Sequence, residues 1–75
     1  MNDPLNPPAS PGQIETLVRT LERTENLKNH FDLTNAYDLL TGISTKQCRY
    51  LNALIINKKY FDLNKFLEGR GFTKI

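Results

Sequence analysis

The sequence predicts an all-α fold, a small bundle of three to four short helices with a disordered N-terminal tail. Apolar residues recur every three to four positions in several stretches, and none shows the sustained apolar–polar alternation of a strand. Two Ser-x-x-Gln sequences, at Ser10 and Ser44, match the capping box that begins helices. A chain of 75 residues has room for one domain. We place this single helical domain at residues 10–75.

The first predicted helix follows a proline-rich segment. Residues 1–9 hold three of the four prolines and no periodic apolar pattern, so we interpret them as a flexible tail. Ser10 is the expected N-cap of helix 1, which should run from about residue 11 to 25, with Pro11 at its first position. Its apolar stripe comprises Ile14, Leu17, Val18 and Leu21, and a second short piece can extend it through Leu27 and Phe31.

Helix 2 is predicted from weaker signals. Asp32 or Thr34 can cap it, and Gly42 is a natural stop because glycine readily adopts the left-handed conformation after a helix. The residues expected to face the core are Leu33, Ala36, Tyr37 and Leu40.

Helices 3 and 4 complete the predicted bundle. Helix 3 should begin after Ser44 and end near residues 57–58, with a buried stripe of Cys48, Leu51, Leu54 and Ile55. Asp62 is the expected cap of a short helix 4 that ends at the glycines of residues 69–71. The apolar residues expected to pack inward from this last part of the chain are Leu63, Phe66, Leu67, Phe72 and Ile75.

Composition limits the cellular location. The longest apolar run, Ala53–Ile56, has four residues, whereas a membrane-spanning helix needs about 20. The N-terminus lacks the positive charge and apolar run of a secretory signal. The single cysteine, Cys48, cannot form an internal disulfide. We therefore expect a cytoplasmic protein without a membrane partner.

The residues that carry chemistry are too few for a catalytic centre. The one histidine, His30, lies in a polar stretch, and Cys48 falls on the apolar stripe of helix 3, so we interpret them as a linker residue and a core residue. One cysteine and one histidine cannot build a structural zinc site. Residues 69–71 lack the strand–loop–helix context of a phosphate-binding loop. We expect no enzymatic activity, no metal and no cofactor.

Charge is distributed unevenly along the chain. Residues 1–43 hold three basic and six acidic side chains, a net charge of −3, whereas residues 44–75 hold seven basic and two acidic ones, a net charge of +5. Such asymmetry indicates an anionic partner for the basic half, or else lysines that keep a small protein soluble.

Helical periodicity defines a candidate binding surface on helix 3. Residues 46, 49, 50, 53 and 57 share the side that faces away from its buried stripe. Basic and amide groups around the small Ala53 would suit a nucleic-acid groove, and an ordinary solvated face is the alternative. The candidate nucleic-acid-binding residues are Lys46, Arg49, Tyr50, Asn57, Lys58, Lys59, Lys65 and Arg70.

The segment around the second capping box resembles a helix-turn-helix. In that family an apolar residue follows the turn glycine, as Ile43 follows Gly42 here. A small residue sits four positions before that glycine in the family, and Asp38 departs from this pattern. The resemblance implies a tight crossing of helices 2 and 3, which the departure at Asp38 does not favour.

Residues 44–72 also resemble small helical modules of phage, plasmid and bacterial DNA-metabolism proteins. Those modules carry an S-x-K-Q-x-x-x-L-x-x-L helix, here Ser44–Leu54, and then a short L-x-x-[FY]-L-x-x-[RK]-G helix, here Leu63–Gly71. The matching residues are mainly caps and core positions, so the resemblance implies a fold more than a function.

These observations together favour a small nucleic-acid-binding or nucleic-acid-associated regulatory protein that acts through its basic C-terminal half. The alternative is an adaptor or inhibitor that binds and modulates a larger protein. In that case the exposed surface of helix 1, or an apolar patch left by a thin core, would make the contact.

Overall fold

The structure is a computed structural model that describes residues 7–75. Within them lie five helices: α1 (Pro11–Arg23), α2 (Glu25–Lys28), α3 (Ala36–Leu40), α4 (Thr45–Ile56) and α5 (Tyr60–Gly69). The all-α prediction is confirmed. The helices outnumber the predicted three to four because the stretch between α1 and α4 forms two very short ones. Residues 1–6, which belong to the predicted tail, lie outside the described residues.

Both predicted capping boxes are present. The Ser10 hydroxyl accepts a hydrogen bond from the Gln13 backbone N–H (3.2 Å), and the Gln13 side chain accepts one from the Ser10 N–H (2.8 Å). Ser44 and Gln47 make the same reciprocal pair at 3.0 and 3.1 Å. These bonds satisfy N–H groups that have no partner inside the helix, so α1 and α4 begin where the sequence predicts.

α4 and α5 end in the same backbone motif with different residues. After α5, Gly71 has a φ of +95°, and the Phe72 N–H donates to the Leu67 carbonyl (3.0 Å). After α4, Lys58 occupies the equivalent left-handed position with a φ of +56°, and the Lys59 N–H donates to the Leu54 carbonyl (2.8 Å). Both are Schellman endings, and the one after α4 lacks the usual glycine.

The apolar stripes of the helices meet in one core. Phe72 packs as predicted, with its ring edge-to-face against Phe31 at 6.4 Å between centroids. The predictions for Tyr37 and Ile75 are wrong, because their side chains are 40% and 80% exposed. The other buried apolar residues are Ile14, Leu17, Leu21, Leu27, Ala36, Leu40, Ile43, Cys48, Leu51, Leu54, Leu63 and Leu67.

Helix packing centres on α1. α2, α3 and α4 pack against α1, and α5 packs against α4. α3 has five residues, and Asp38 on it is exposed. The pair of helices that the helix-turn-helix resemblance implies is not among the main packed pairs of the described chain.

Residues 7–9 are paired with the start of α4, in contrast to the flexible tail predicted for them. The Ala9 N–H donates to the Ile43 carbonyl (2.9 Å), and the Thr45 N–H donates to the Pro7 carbonyl (2.8 Å). Together they form an isolated antiparallel bridge between Pro8 and Ser44. The prediction failed because prolines still supply carbonyl acceptors, even though they disfavour regular helix and strand.

A second antiparallel bridge joins Phe31 to Lys74. The Asp32 N–H donates to the Thr73 carbonyl (2.8 Å), and the Ile75 N–H donates to the His30 carbonyl (2.9 Å). These bonds tie the last residues to the segment between α2 and α3.

Two predicted N-caps are wrong. α5 begins after Lys59, which leaves Asp62 within its first turn, because the left-handed Lys58 allows a new helix to start at once. α3 begins after Asn35, and the Asp32 carboxylate instead accepts hydrogen bonds from the N–H and the hydroxyl of Thr34. Gly42 follows α3 with a φ of +97°, as predicted.

In the described part of the chain, no helix combines the length and apolar character needed to span a membrane.

Candidate nucleic-acid interface

The outer face of α4 is exposed along its whole length. Its side chains turn away from Cys48, Leu51 and Leu54, which face the core. Tyr50 is 51% exposed and Ile56 is 77% exposed. We define the α4 outer face as Lys46, Arg49, Tyr50, Ala53, Ile56 and Asn57, all of them exposed.

The turn from α4 into α5 adds more cationic and apolar side chains. Phe61, on the first turn of α5, is 73% exposed, and the Lys65 ammonium lies 4.9 Å from the centroid of its ring. Lys58 and Lys59 lie between the two helices and are exposed. We define the α4–α5 corner as Ile56, Lys58, Lys59, Phe61 and Lys65.

Sequence reasoning missed Ile56 and Phe61. The helical period places Ile56 beside Ala53 on the side away from the core, so its exposure could have been found. Phe61 was missed because a helix capped by Asp62 would begin only after it. With the helix beginning one residue before Phe61, the ring lies on the side of α5 away from Leu63 and Leu67.

Carboxylates are absent from this part of the sequence. Residues 39–61 contain Lys46, Arg49, Lys58 and Lys59 and no aspartate or glutamate. Among residues 7–75 the ion pairs are Arg19–Glu15 and Lys74–Glu68, so none of the four cations is paired with a described carboxylate. Their charges therefore have no ion-pair partner among the described residues.

Arg70 has a structural partner instead. Its Nε donates to the Leu39 carbonyl (3.0 Å) and its Nη2 to the Thr41 carbonyl (2.9 Å). It follows the last residue of α5, about 16 Å along the helix axis from Lys59. The structure thus brings seven of the eight candidate residues to the α4 outer face and the α4–α5 corner, and places Arg70 at the other end of α5.

The groups that could perform chemistry are not gathered into a centre. Burial raises the pKa of the Cys48 thiol, which disfavours the reactive thiolate. Its Sγ lies 3.7 Å from the Gln13 carbonyl oxygen and 3.9 Å from the Asn52 amide nitrogen. His30 is exposed. Among residues 7–75, no three His, Cys, Asp or Glu side chains lie together as metal ligands would.

Two open grooves cross the described surface. The larger, of about 770 Å³, runs beside the Phe31–Lys74 bridge and is lined by both acidic and basic residues, including Glu22, Asp32 and Lys28. The smaller, of about 380 Å³, lies between the start of α1 and α4 and reaches Arg49.

Comparisons with protein-family models, with curated proteins and with solved structures found no match for this chain. The side chains exposed on α4 and at the α4–α5 corner are therefore the basis for assigning a function.

Proposed function

We propose that this protein is a small nucleic-acid-binding regulatory protein that binds through the α4 outer face and the α4–α5 corner. The observation that supports this most strongly is the run of 23 residues, 39–61, with four exposed cations and no carboxylate. Phosphates attract such a surface at long range, and each contact releases a counterion.

The spacing of the cations suits a phosphate backbone. Lys46 and Arg49 lie in the first turns of α4, and Lys58 follows twelve residues after Lys46, about 18 Å along the axis at 1.5 Å per residue. A duplex carries one phosphate charge per ~1.7 Å of its axis, so both ends of the surface can contact one backbone.

Side chains, more than the helix N-terminus, supply the positive charge. The Thr45 N–H donates to the Pro7 carbonyl, and the Gln47 N–H donates to the Ser44 hydroxyl. Since these two donors are already used, a phosphate at the start of α4 would depend on the Lys46 and Arg49 side chains.

Two further features agree with the proposal. Residues 44–72 resemble modules of DNA-metabolism proteins, and this segment contains both α4 and α5. Within the corner, Lys65 adds a further cation to the four in residues 39–61. Arg70 uses part of its guanidinium to bind α3, so it can contact a phosphate only with its remaining N–H groups.

The test is a salt-dependent titration with a matched charge control. Replacing Lys46 and Arg49 by glutamine should weaken binding to duplex or single-stranded DNA or RNA, and should reduce the salt slope by about two phosphate contacts. Replacing Arg19 and Arg23 by glutamine removes the same charge from exposed positions on α1 and should have little effect, since Glu15 already pairs with Arg19.

Two outcomes would contradict the proposal. One is equal weakening by both double variants, which would indicate attraction by net charge alone. The other is failure of every nucleic acid to bind at ~100 μM protein in low salt, weaker than ordinary non-specific binding.

The second candidate is an adaptor or inhibitor that binds a larger protein. The groove beside the Phe31–Lys74 bridge favours it, because its lining mixes apolar side chains with both acidic and basic ones, which suits a protein segment more than a phosphate backbone. Ile75, at the edge of this groove, is 80% exposed. Capture of a protein that survives nuclease treatment and is lost with Glu22→Lys would support this candidate.

A further inference from the structure

Two large apolar side chains at the α4–α5 corner are left in water. Phe61 is 73% exposed and Ile56 is 77% exposed, in a protein that buries Phe31 and Phe72 almost fully. Burial of an aromatic ring is favourable, so leaving Phe61 in solvent forgoes stability that the fold obtains from its other rings.

The surroundings of Phe61 are cationic. The Lys65 ammonium lies against the ring, 4.9 Å from its centroid, and Lys58 and Lys59 precede it in the chain. The neighbouring carboxylate, Asp62, is one residue further along α5 and points about 100° away around the helix axis. One lysine therefore lies against the accessible ring, and two more exposed lysines precede it within three residues of the chain.

We propose that the α4–α5 corner binds single-stranded nucleic acid, with one base stacked on Phe61 and the flanking phosphates contacted by Lys58, Lys59 and Lys65. The inference rests on the proposed nucleic-acid-binding function and names the form of its ligand. Every base offers a π face that can stack on an aromatic ring, whereas the faces of paired bases are already covered within a duplex.

Two other occupants fit the corner less well. A second copy of the chain would place Lys58, Lys59 and Lys65 against the same lysines across a two-fold axis, and like charges would repel. A membrane surface requires a continuous apolar helix face, and the corner presents only Ile56 and Phe61. A single strand requires one ring and nearby cations, which is what the corner supplies.

Phe61→Trp provides a direct reporter, because the chain contains no tryptophan. A 12-nucleotide oligothymidylate should quench its fluorescence on stacking, and a 12-base-pair duplex should leave it unchanged. Tyr37→Trp is the matched control, since Tyr37 is 40% exposed and lies on α3, outside the α4–α5 corner. Its fluorescence should respond to neither ligand.

Affinity provides the second measurement. Phe61→Ala should weaken binding of the oligothymidylate by about 5- to 150-fold, the range for loss of one stacked base. It should change duplex binding less than about twofold, and Phe61→Tyr should restore the single-strand affinity, since tyrosine keeps a ring on which a base can stack. Because the ring is largely exposed, far-UV circular dichroism should show these variants folded like the parent.

The outcomes separate this inference from the proposed function. If the parent binds nucleic acid and Phe61→Ala changes neither affinity, the single-strand inference is wrong and the proposed function stands. If no nucleic acid binds at ~100 μM, both are wrong. In the Phe61→Trp variant, a blue shift of the fluorescence on phosphatidylserine vesicles without quenching by the strand would identify a membrane surface as the occupant. A blue shift that grows with protein concentration would identify a second copy, and either result overturns the inference.

Discussion

α4 and the segment between α1 and α4 reach helical structure by different routes. α4 has twelve residues, a complete capping box and three buried side chains on one stripe. α2 and α3 have four and five residues, and neither N-cap side chain accepts a capping hydrogen bond from its helix. Helices shorter than about 12 residues are marginal in isolation, so these two depend on the rest of the protein.

The contacts that hold the short helices come from distant parts of the chain. Leu27 of α2 and Leu40 of α3 have no solvent exposure. The Arg70 side chain donates to carbonyls at the end of α3. Just before α3, the Asp32 N–H donates to the Thr73 carbonyl near the end of the chain. Local sequence therefore specifies α4, whereas tertiary contacts specify α2 and α3.

The largest effect should follow from Leu51→Ala in α4. Leu51 is fully buried, so its truncation should cost about 2–5 kcal/mol of unfolding free energy, measured by chemical denaturation. Leu54→Ala should act similarly. Small domains have a total stability as low as about 5 kcal/mol, so either variant can unfold the protein. Ile56→Ala, on the exposed side of the same helix, should cost less than about 0.5 kcal/mol. Equal losses of unfolding free energy in the Leu51→Ala and Ile56→Ala variants would contradict the assignment of the buried side of α4.

Arg70→Gln should destabilise α3 more than α4. It removes two charge-assisted hydrogen bonds to the end of α3 and should cost about 1–3 kcal/mol. Amide hydrogen exchange should accelerate more in α3 than in α4, because α3 lacks a side-chain cap of its own. Arg49→Gln, an exposed change on α4, is the control and should leave both rates unchanged. Uniform acceleration in the Arg70 variant would mean that α3 is not held separately.

Removal of the caps should give a smaller difference. Ser44→Ala deletes the hydroxyl that accepts from the Gln47 N–H and should cost about 1 kcal/mol. Asn35→Ala, at the equivalent position before α3, removes no side-chain cap bond and should cost less than half of that. Thermal unfolding followed by circular dichroism measures both. A larger loss of stability in the Asn35→Ala variant would mean that α3 depends on its N-cap more than α4 does.

The smallest effect concerns Asp32 in the segment before α3. Hydrogen bonds from the Thr34 hydroxyl and then from its backbone N–H lower the pKa of the Asp32 carboxyl below the usual value of about 3.9. Its contribution to stability is present above the unfolded-state pKa and is lost as pH falls through the folded-state pKa. Thr34→Val removes the hydroxyl donor and should raise this pKa toward its usual value, which NMR titration of Asp32 can measure. An unchanged pKa would show that the backbone bond alone determines it.

The difference between local and tertiary control also explains which features could be predicted from the sequence. Ser10, Ser44 and Gly42 act through their immediate neighbours, and their predicted roles are confirmed. The start of α5 was not predictable by these rules, because Lys58 holds a left-handed position where glycine is the usual signal.

The candidate surface follows the same pattern. The exposed side of α4 could be predicted from the helical period, as Lys46 and Arg49 show. Phe61 required the true start of α5, and the engagement of Arg70 required knowledge of where α3 ends. The first depends on the left-handed conformation of Lys58, and the second depends on packing between elements far apart in sequence.

The two antiparallel bridges make folding cooperative along the whole described chain. One joins residue 8 to 44 and the other joins residue 31 to 74, so their ends interleave along the chain. Every cut between residues 8 and 74 separates the partners of at least one bridge. We therefore expect neither half of the protein to fold when expressed alone, and the intact chain to unfold in a single cooperative transition.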